Sequence, residues 1–226
     1  ITCTMILHYI KFTYRNIRSN KVIFTGSLAT LCLGALCISL LFTYIHNEYT
    51  MDNFHSKKKS IYMMTIQDAP GLQRKTMNFY NKYEFKYKEY PEIDDFVKIY
   101  KLPKEAISFS YKKTAFSPEG IVVDTNFFNV FDFDLTHGNK QNILNDPDVI
   151  IITETFSKKM FGDKNPIGKR IEVGMGYARF KIVKGIVKSP PSNSSLTFDY
   201  ILPSHFDSDG RKNDIGSVGF ILVSKN

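Results

Sequence analysis

The segment Gly162-Asp163-Lys164-Asn165-Pro166-Ile167-Gly168-Lys169-Arg170 holds the ingredients of a loop that wraps a phosphate in backbone N–H groups. Its spacing defeats that chemistry. The nucleotide-binding pattern G-x-x-x-x-G-K-[ST] is missed by one extra residue between the glycines, and Arg170 stands where Ser or Thr belongs. Pro166 also removes one N–H from any cradle, so the segment reads as a turn between a helix and a strand. The five histidines, His8, His46, His55, His137 and His205, share no metal-ligand spacing. Neither a Gly-x-Ser-x-Gly elbow nor a His-Glu-x-x-His pair is present. Asp132 and Asp134 flank Phe133 and are the residue type of acid–base hydrolysis, but nothing else that hydrolysis needs accompanies them. Asn193-Ser194-Ser195 matches a glycosylation sequon, a pattern that chance often produces. No catalytic, cofactor-binding or metal-binding residue is assigned, and the chain reads as something other than an enzyme.

The dominant feature is an element rather than a site. From Val22 to Ile45 no side chain is charged. As a helix this run rises about 36 Å, enough to cross a hydrocarbon core of about 30 Å. Backbone polar groups find no water there, so a helix is the state expected of a spanning segment. A cleaved secretory signal has a shorter apolar region and a small-x-small cleavage site. This run closes instead on Phe42-Thr43-Tyr44, and a retained anchor is the better reading. Cys32 and Cys37 follow leucines, which does not fit a lipoprotein signal. Gly26, Ser27, Ala29, Thr30, Gly34 and Ala35 suit close helix–helix contact in the membrane.

Lys11, Arg15, Arg18 and Lys21 precede the span, and the first acidic residue in the chain is Glu48. Basic flanks stay on the cytoplasmic side, so the N-terminus is expected inside and the large domain outside. Lys11, Arg15 and Arg18 recur at helical spacing opposite apolar Ile6, Ile10, Tyr14 and Ile17. Residues 1–21 therefore read as a basic amphipathic segment lying among headgroups, or as an ordinary positively charged flank. Of 30 basic residues in the chain, the remainder face 22 acidic ones in the outer part. That mild excess calls for no nucleic-acid partner. The three cysteines, Cys3, Cys32 and Cys37, precede the outer domain, which must be held by its own core.

Residues 46–226 show a strand-rich α+β pattern. Strands are expected at 60–67, 96–100, 106–111, 121–123, 149–152, 170–173, 180–187, 198–202 and 218–223. The spacing of Met77, Tyr80, Tyr83, Glu84 and Tyr87 predicts a helix over 76–89. Asn126 to Phe131 reads as a short aromatic turn or helix. A further helix opens at Thr153 or Glu154, runs to Phe161, and is closed by Gly162.

Taken in order, several stretches resemble the FtsX-like and MacB-like permeases of ABC transporters. They are Tyr9 to Lys21; Asp52-Asn53-Phe54-His55 with Ile61-Tyr62; Val123-Asp124-Thr125-Asn126-Phe127-Phe128-Asn129-Val130-Phe131 with Gly138; Lys158 to Phe161-Gly162; Asn165-Pro166-Ile167-Gly168-Lys169; and Gly185-Ile186-Val187 with Pro190 and Ser194 to Asp199. The resemblance implies a cytoplasmic segment (1–21), a transmembrane helix (22–45) and a periplasmic core domain (46–226) with a mixed α/β fold in two lobes. It implies a bacterial inner-membrane permease with no ATPase motif of its own, paired with a cytoplasmic ABC ATPase that binds the ATP. It further implies a second permease copy, identical or not, and a periplasmic or outer-membrane partner. Members continue into about three more spans, so residues 1–226 correspond to the front part of such a permease. The residues alone also allow another class, a single-span extracytoplasmic sensor or binding domain.

Overall fold

The computed structural model describes residues 2–66, 75–76, 78–79, 86–102, 104, 107–112, 114–174, 178–205 and 217–223. The chain divides into two compact units, Ile1–Met51 and Asp52–Asn226.

The first unit is two helices, α1 (Thr2–Ser19) and α2 (Lys21–Tyr49), meeting at Asn20. The Asn20 carbonyl accepts the N–H of Phe24 at 3.1 Å, so α2 starts from a satisfied turn. No α2 side chain is buried within the chain, and by length and composition the helix is able to cross a membrane. The hydroxyls of Thr25, Thr30, Ser39 and Thr43 are turned back on the helix. Thr25 Oγ1 donates to the Lys21 carbonyl at 2.9 Å, Ser39 Oγ to Leu36 at 2.9 Å, and Thr43 Oγ1 to Ser39 at 2.8 Å. In hydrocarbon an unpartnered hydroxyl is costly, and this back-bonding removes the cost. The helix continues past Ile45 and ends where Thr50 N–H and Oγ1 both donate to the His46 carbonyl, at 3.0 and 2.8 Å. Lys11, Arg15, Arg18 and Lys21 are all exposed.

The second unit begins with β1 (Ile61–Met63), β2 (Thr65–Ile66), β3 (Lys75–Thr76), β4 (Asn78–Phe79), β5 (Ile93–Leu102), β6 (Ser108–Tyr111), β7 (Thr114–Phe116) and β8 (Gly120–Val123). It continues through α3 (Phe127–Val130), β9 (Leu135–His137), β10 (Val149–Thr153), α4 (Glu154–Phe161), β11 (Arg170–Gly174), β12 (Ala178–Val187), β13 (Tyr200–Pro203) and β14 (Ser217–Val223). Among the described residues, twelve strands join one sheet in the order β1-β14-β5-β8-β13-β10-β12-β11-β6-β7, with β4 beside β14 and β9 beside β12. Strands β2 and β3 pair separately. The pairs β8–β13 and β10–β12 are parallel and the others antiparallel, which makes the sheet mixed.

Side chains alternate faces along a strand, and the central strands use both faces for core. Val149 and Ile151, Ile121 and Val123, and Ile201 enter one cluster with the α3 aromatics. Ile150 and Ile152, Val122, and Tyr200 and Leu202 enter the other, under Phe156, Met160 and Phe161 of α4. This explains why Val149–Ile152 is a continuous apolar run: a strand covered on both faces has no polar phase. Helix α4 is well bounded. Thr153 Oγ1 accepts the N–H of Phe156 at 3.2 Å as an N-cap. Gly162 closes the helix at φ 61°, ψ −133°, a conformation open to glycine.

Where residues 76–89 are described, the expected helix does not form. Its described residues are strands at 75–76 and 78–79 and a 3-10 turn at Tyr87–Glu89; residues 77 and 80–85 lie outside the described residues. Asn78 and Phe79 pair with Val218 and Ser217 of β14, so pairing with a distant strand overrides the local spacing. The expected strand over 60–67 is also divided: Met64 N–H still donates to the Gly219 carbonyl of β14 at 2.9 Å, but Thr65 and Ile66 then pair with β3.

Candidate functional site

Immediately after the first unit, residues 52–60 are fastened to the centre of the outer domain. Asp52, in a left-handed conformation (φ 55°), donates its N–H to the Asn193 carbonyl at 3.0 Å. Its Oδ1 accepts the N–H of Ser195 at 2.9 Å. The His55 N–H returns to the Asp52 carbonyl at 3.1 Å, closing a turn that sends the histidine ring inward.

His55 is 3% exposed. Its ring lies 4.0 Å from Phe54 and meets Phe131 and Phe133 edge-on at 5.3 and 5.1 Å between centroids. Its Nδ1 accepts the backbone N–H of Asp132 at 3.0 Å, so that nitrogen carries no proton and the ring is neutral. Burial lowers the His55 pKa, against the opposing pull of Asp52 and Asp132. The Asp132 carboxylate answers from the other side. Its Oδ2 accepts both the N–H and the Oγ of Ser56, at 2.6 and 2.7 Å. Burial alone would raise that carboxyl, but the Ser56 bonds and the Lys57 charge hold it below its ordinary value. Lys57 Nζ also donates to the Asn129 carbonyl at 2.6 Å.

The aromatic floor continues this clasp into the core. Phe127 stacks on Phe131 and Phe133 at 5.2 and 5.8 Å, and Phe133 meets Phe198 at 5.1 Å. Phe127, Phe128 and Phe131 are buried. The turn presenting them is held by Asp124, whose Oδ2 accepts the Lys98 N–H at 2.9 Å. Asn126 Nδ2 donates to the Phe96 carbonyl at 2.7 Å and to Asp95. Residues 52–60 meet the other end of the domain as well. Val223 N–H reaches the Ser60 carbonyl at 2.9 Å, and β1 pairs with β14.

The structure thus brings Phe54, His55, Asp124, Asn126, Phe127, Phe128 and Phe131 into one neighbourhood. Tyr62 lies exposed on β1. The other motif residues serve local geometry elsewhere. Gly138 has φ 111°, and a Cβ there or at Gly185 would meet Ile143 Cδ1 at 2.7 or 2.6 Å. Phe161 joins the α4-side core and meets the Tyr111 ring at 4.5 Å. The near-miss phosphate loop is a helix-to-strand turn. Asn165 Oδ1 accepts the Ile167 N–H at 3.0 Å, Pro166 is buried, and Gly168 (φ 79°) donates to the Val183 carbonyl at 2.8 Å. The Lys169 carbonyl then accepts the Val183 N–H at 3.0 Å. Pro190 is half-buried beyond β12.

Sequence reasoning noted Asp132 and Asp134 as a carboxylate pair and missed their separate duties. Asp132 anchors Ser56, whereas Asp134 sits with Lys140 and Lys188 at 3.7 and 3.2 Å. The sequon-like Asn193-Ser194-Ser195 supplies the backbone groups that hold Asp52. No local signal marks either role, because both partners are remote in the chain. Among the described residues no group of three or more His, Cys, Asp or Glu gathers as a metal site.

A helix long and apolar enough to cross a membrane thus precedes a mixed α/β domain that is clasped at its start. A family model for the MacB-like periplasmic core domain matches residues 25–224, and the chain belongs to that family. Three solved structures are similar to it in fold. One is a domain of a putative permease from Porphyromonas gingivalis, with TM-score 0.59, 16% identity and 76% of each chain covered. A second is the periplasmic region of MacB from Actinobacillus actinomycetemcomitans, with TM-score 0.55 and 14% identity over 74% of this chain and 76% of that one. The third is the extracellular domain of the ABC-type transporter YknZ from Gram-positive bacteria, with TM-score 0.53 and 14% identity over 73% and 82%. No curated protein matches the chain at a significant level.

Proposed function

We propose that residues 1–226 form the N-terminal portion of an ABC-transporter permease of the MacB/FtsX type. A partner ATPase in the cytoplasm hydrolyses ATP, and α2 carries the resulting motion to the outer domain for export, lipoprotein extraction or signalling. The observation that carries this reading is the clasp. Force delivered by α2 reaches the outer domain through the covalent chain at residues 50–52. From Asp52 it meets a set of hydrogen bonds and a buried ring seated in the core rather than a slack tether. Ser60 and Val223 lie side by side, which suits a domain driven from both of its ends. The family membership supports the permease class.

The same proposal places the N-terminus in the cytoplasm, with Lys11, Arg15, Arg18 and Lys21 retained there by their charge. It pairs the chain with a second permease copy and an extracytoplasmic partner. The separate β2–β3 sheet supports a smaller second lobe beside the main sheet. Reading the locus beyond the codon for Asn226 tests the proposal. Three further spans in frame, beside a gene for a complete Walker-type ATPase, are expected. A stop codon there with no such neighbour would overturn the permease reading in favour of a single-span sensor or binding domain.

A further inference from the structure

We propose that the outer domain binds an amphipathic anion with a single alkyl chain in a cavity beside the clasp. The cavity measures about 470 Å³, within the size range of small-molecule sites. Ile61, Met63, Ile99, Phe131, Leu196 and Phe220 form its apolar floor, and Lys58, Lys101 and Asp52 stand at its polar rim. Met63 is 50% exposed and Leu196 and Phe220 are half-buried, so apolar surface remains open to solvent. An alkyl chain laid on that floor leaves water, and the floor gains cover.

The rim selects the head. Lys58 Nζ donates to the amide oxygen of Asn53, and Lys101 Nζ to Thr197 Oγ1 at 3.1 Å. Both ammonium groups thus rest on neutral oxygens. Asp52 lines the same rim, but its Oδ1 is already engaged by the Ser195 N–H at 2.9 Å. Two ammonium groups against one carboxylate leave the rim with a net positive charge, which favours an anionic head over a neutral or cationic one. A peptide fits less well, because its backbone would need donors and acceptors along its whole length, and the lining is mostly apolar below the rim. A carboxylate on a chain such as dodecanoate matches both halves of the site. This inference concerns the domain alone and stands apart from the permease reading.

The test is photolabelling of the full chain in phosphatidylcholine nanodiscs with a diazirine-bearing dodecanoate, followed by peptide mapping; adducts on α2 serve as the loading reference. Adducts are expected on the peptides carrying Ile61–Met63 and Val218–Phe220, displaced by excess dodecanoate and spared by dodecanol. Labelling there should fall about tenfold in the K58E/K101E double variant. Leu196→Trp, which fills the floor without touching the rim, should abolish it while circular dichroism stays unchanged. Adducts confined to α2, displacement by dodecanol as readily as by dodecanoate, or undiminished labelling in either variant would overturn the proposal. Lys58 and Lys101 losing reactivity toward an acetylating reagent as the protein is concentrated would assign the face to a second copy instead, and the proposal would fall.

Discussion

Replacing His55 isolates the clasp, because the ring does two separable things. It fills a pocket among Phe54, Phe131 and Phe133, and its Nδ1 accepts the Asp132 N–H at 3.0 Å. His55→Phe keeps an aromatic ring of similar size and deletes the acceptor, leaving a part-buried N–H unpaired at a cost toward the lower end of about 1–3 kcal/mol. His55→Ala removes the ring as well, and for a fully buried aromatic the loss is about 3–5 kcal/mol. For a domain of this size each kcal/mol lowers Tm by about 2–4 °C, so the two variants should be separated on a melting curve of the full chain in nanodiscs. Hydrogen exchange at the Asp132 amide adds a local readout: fast in both variants, slow in the parent. A pH series gives the sign. Since burial places the folded pKa of His55 below its ordinary 6.5, the unfolded chain binds the proton more readily. Stability is then fully present above pH 6.5 and is lost as pH falls toward the folded value. That loss should be absent from His55→Phe. If His55→Phe melts with the parent and its Asp132 amide stays protected, the hydrogen bond contributes nothing and the account of the clasp is wrong.

Gly120 and Tyr200 form a second test. A Cβ at Gly120 would lie 2.1–2.5 Å from the Tyr200 ring, so Gly120→Ala should be severely destabilising by thermal melt. The Tyr200 hydroxyl is buried without a partner among the described residues, and Tyr200→Phe should leave stability unchanged or raise it; a marked loss would reveal a hydrogen bond there. Gly162→Ala meets no atom of the described residues within 4 Å, yet φ 61° and ψ −133° make it strained; a loss of about 1–3 kcal/mol in denaturant unfolding is expected, and no loss would remove the strain argument. Arg15, Arg18 and Lys21 changed together to Glu should disturb insertion, and a reporter after Asn226 that stays extracytoplasmic in that triple variant would count against the topology.

The apolar run at 22–45, the continuous Val149–Ile152 strand and the Thr153–Gly162 helix were legible in the chain, because each rests on near-neighbour physics. Hydrophobic length, a strand phase without polar positions, and a cap at either end of a helix need no information from elsewhere. The ordered motif residues likewise pointed to the MacB-like family before any fold was in view. What they do in space was not legible. The spacing of Met77, Tyr80 and Tyr83 suggested a helix, yet the described residues at 75–76 and 78–79 are strands because partners outside the segment pair with them, β2 with 75–76 and β14, far along the chain, with 78–79. Asp132 and Asp134 look equivalent in sequence, and only the fold brings Ser56 to one and lysines to the other. His55 could have been a surface residue of a tether. Tertiary structure made it the buried centre of the clasp, since the N–H it accepts and the Phe131 and Phe133 rings it meets edge-on lie more than 70 residues away. Local sequence determined the span, the caps and the strand phases; pairing and burial between remote segments decided where the domain is held.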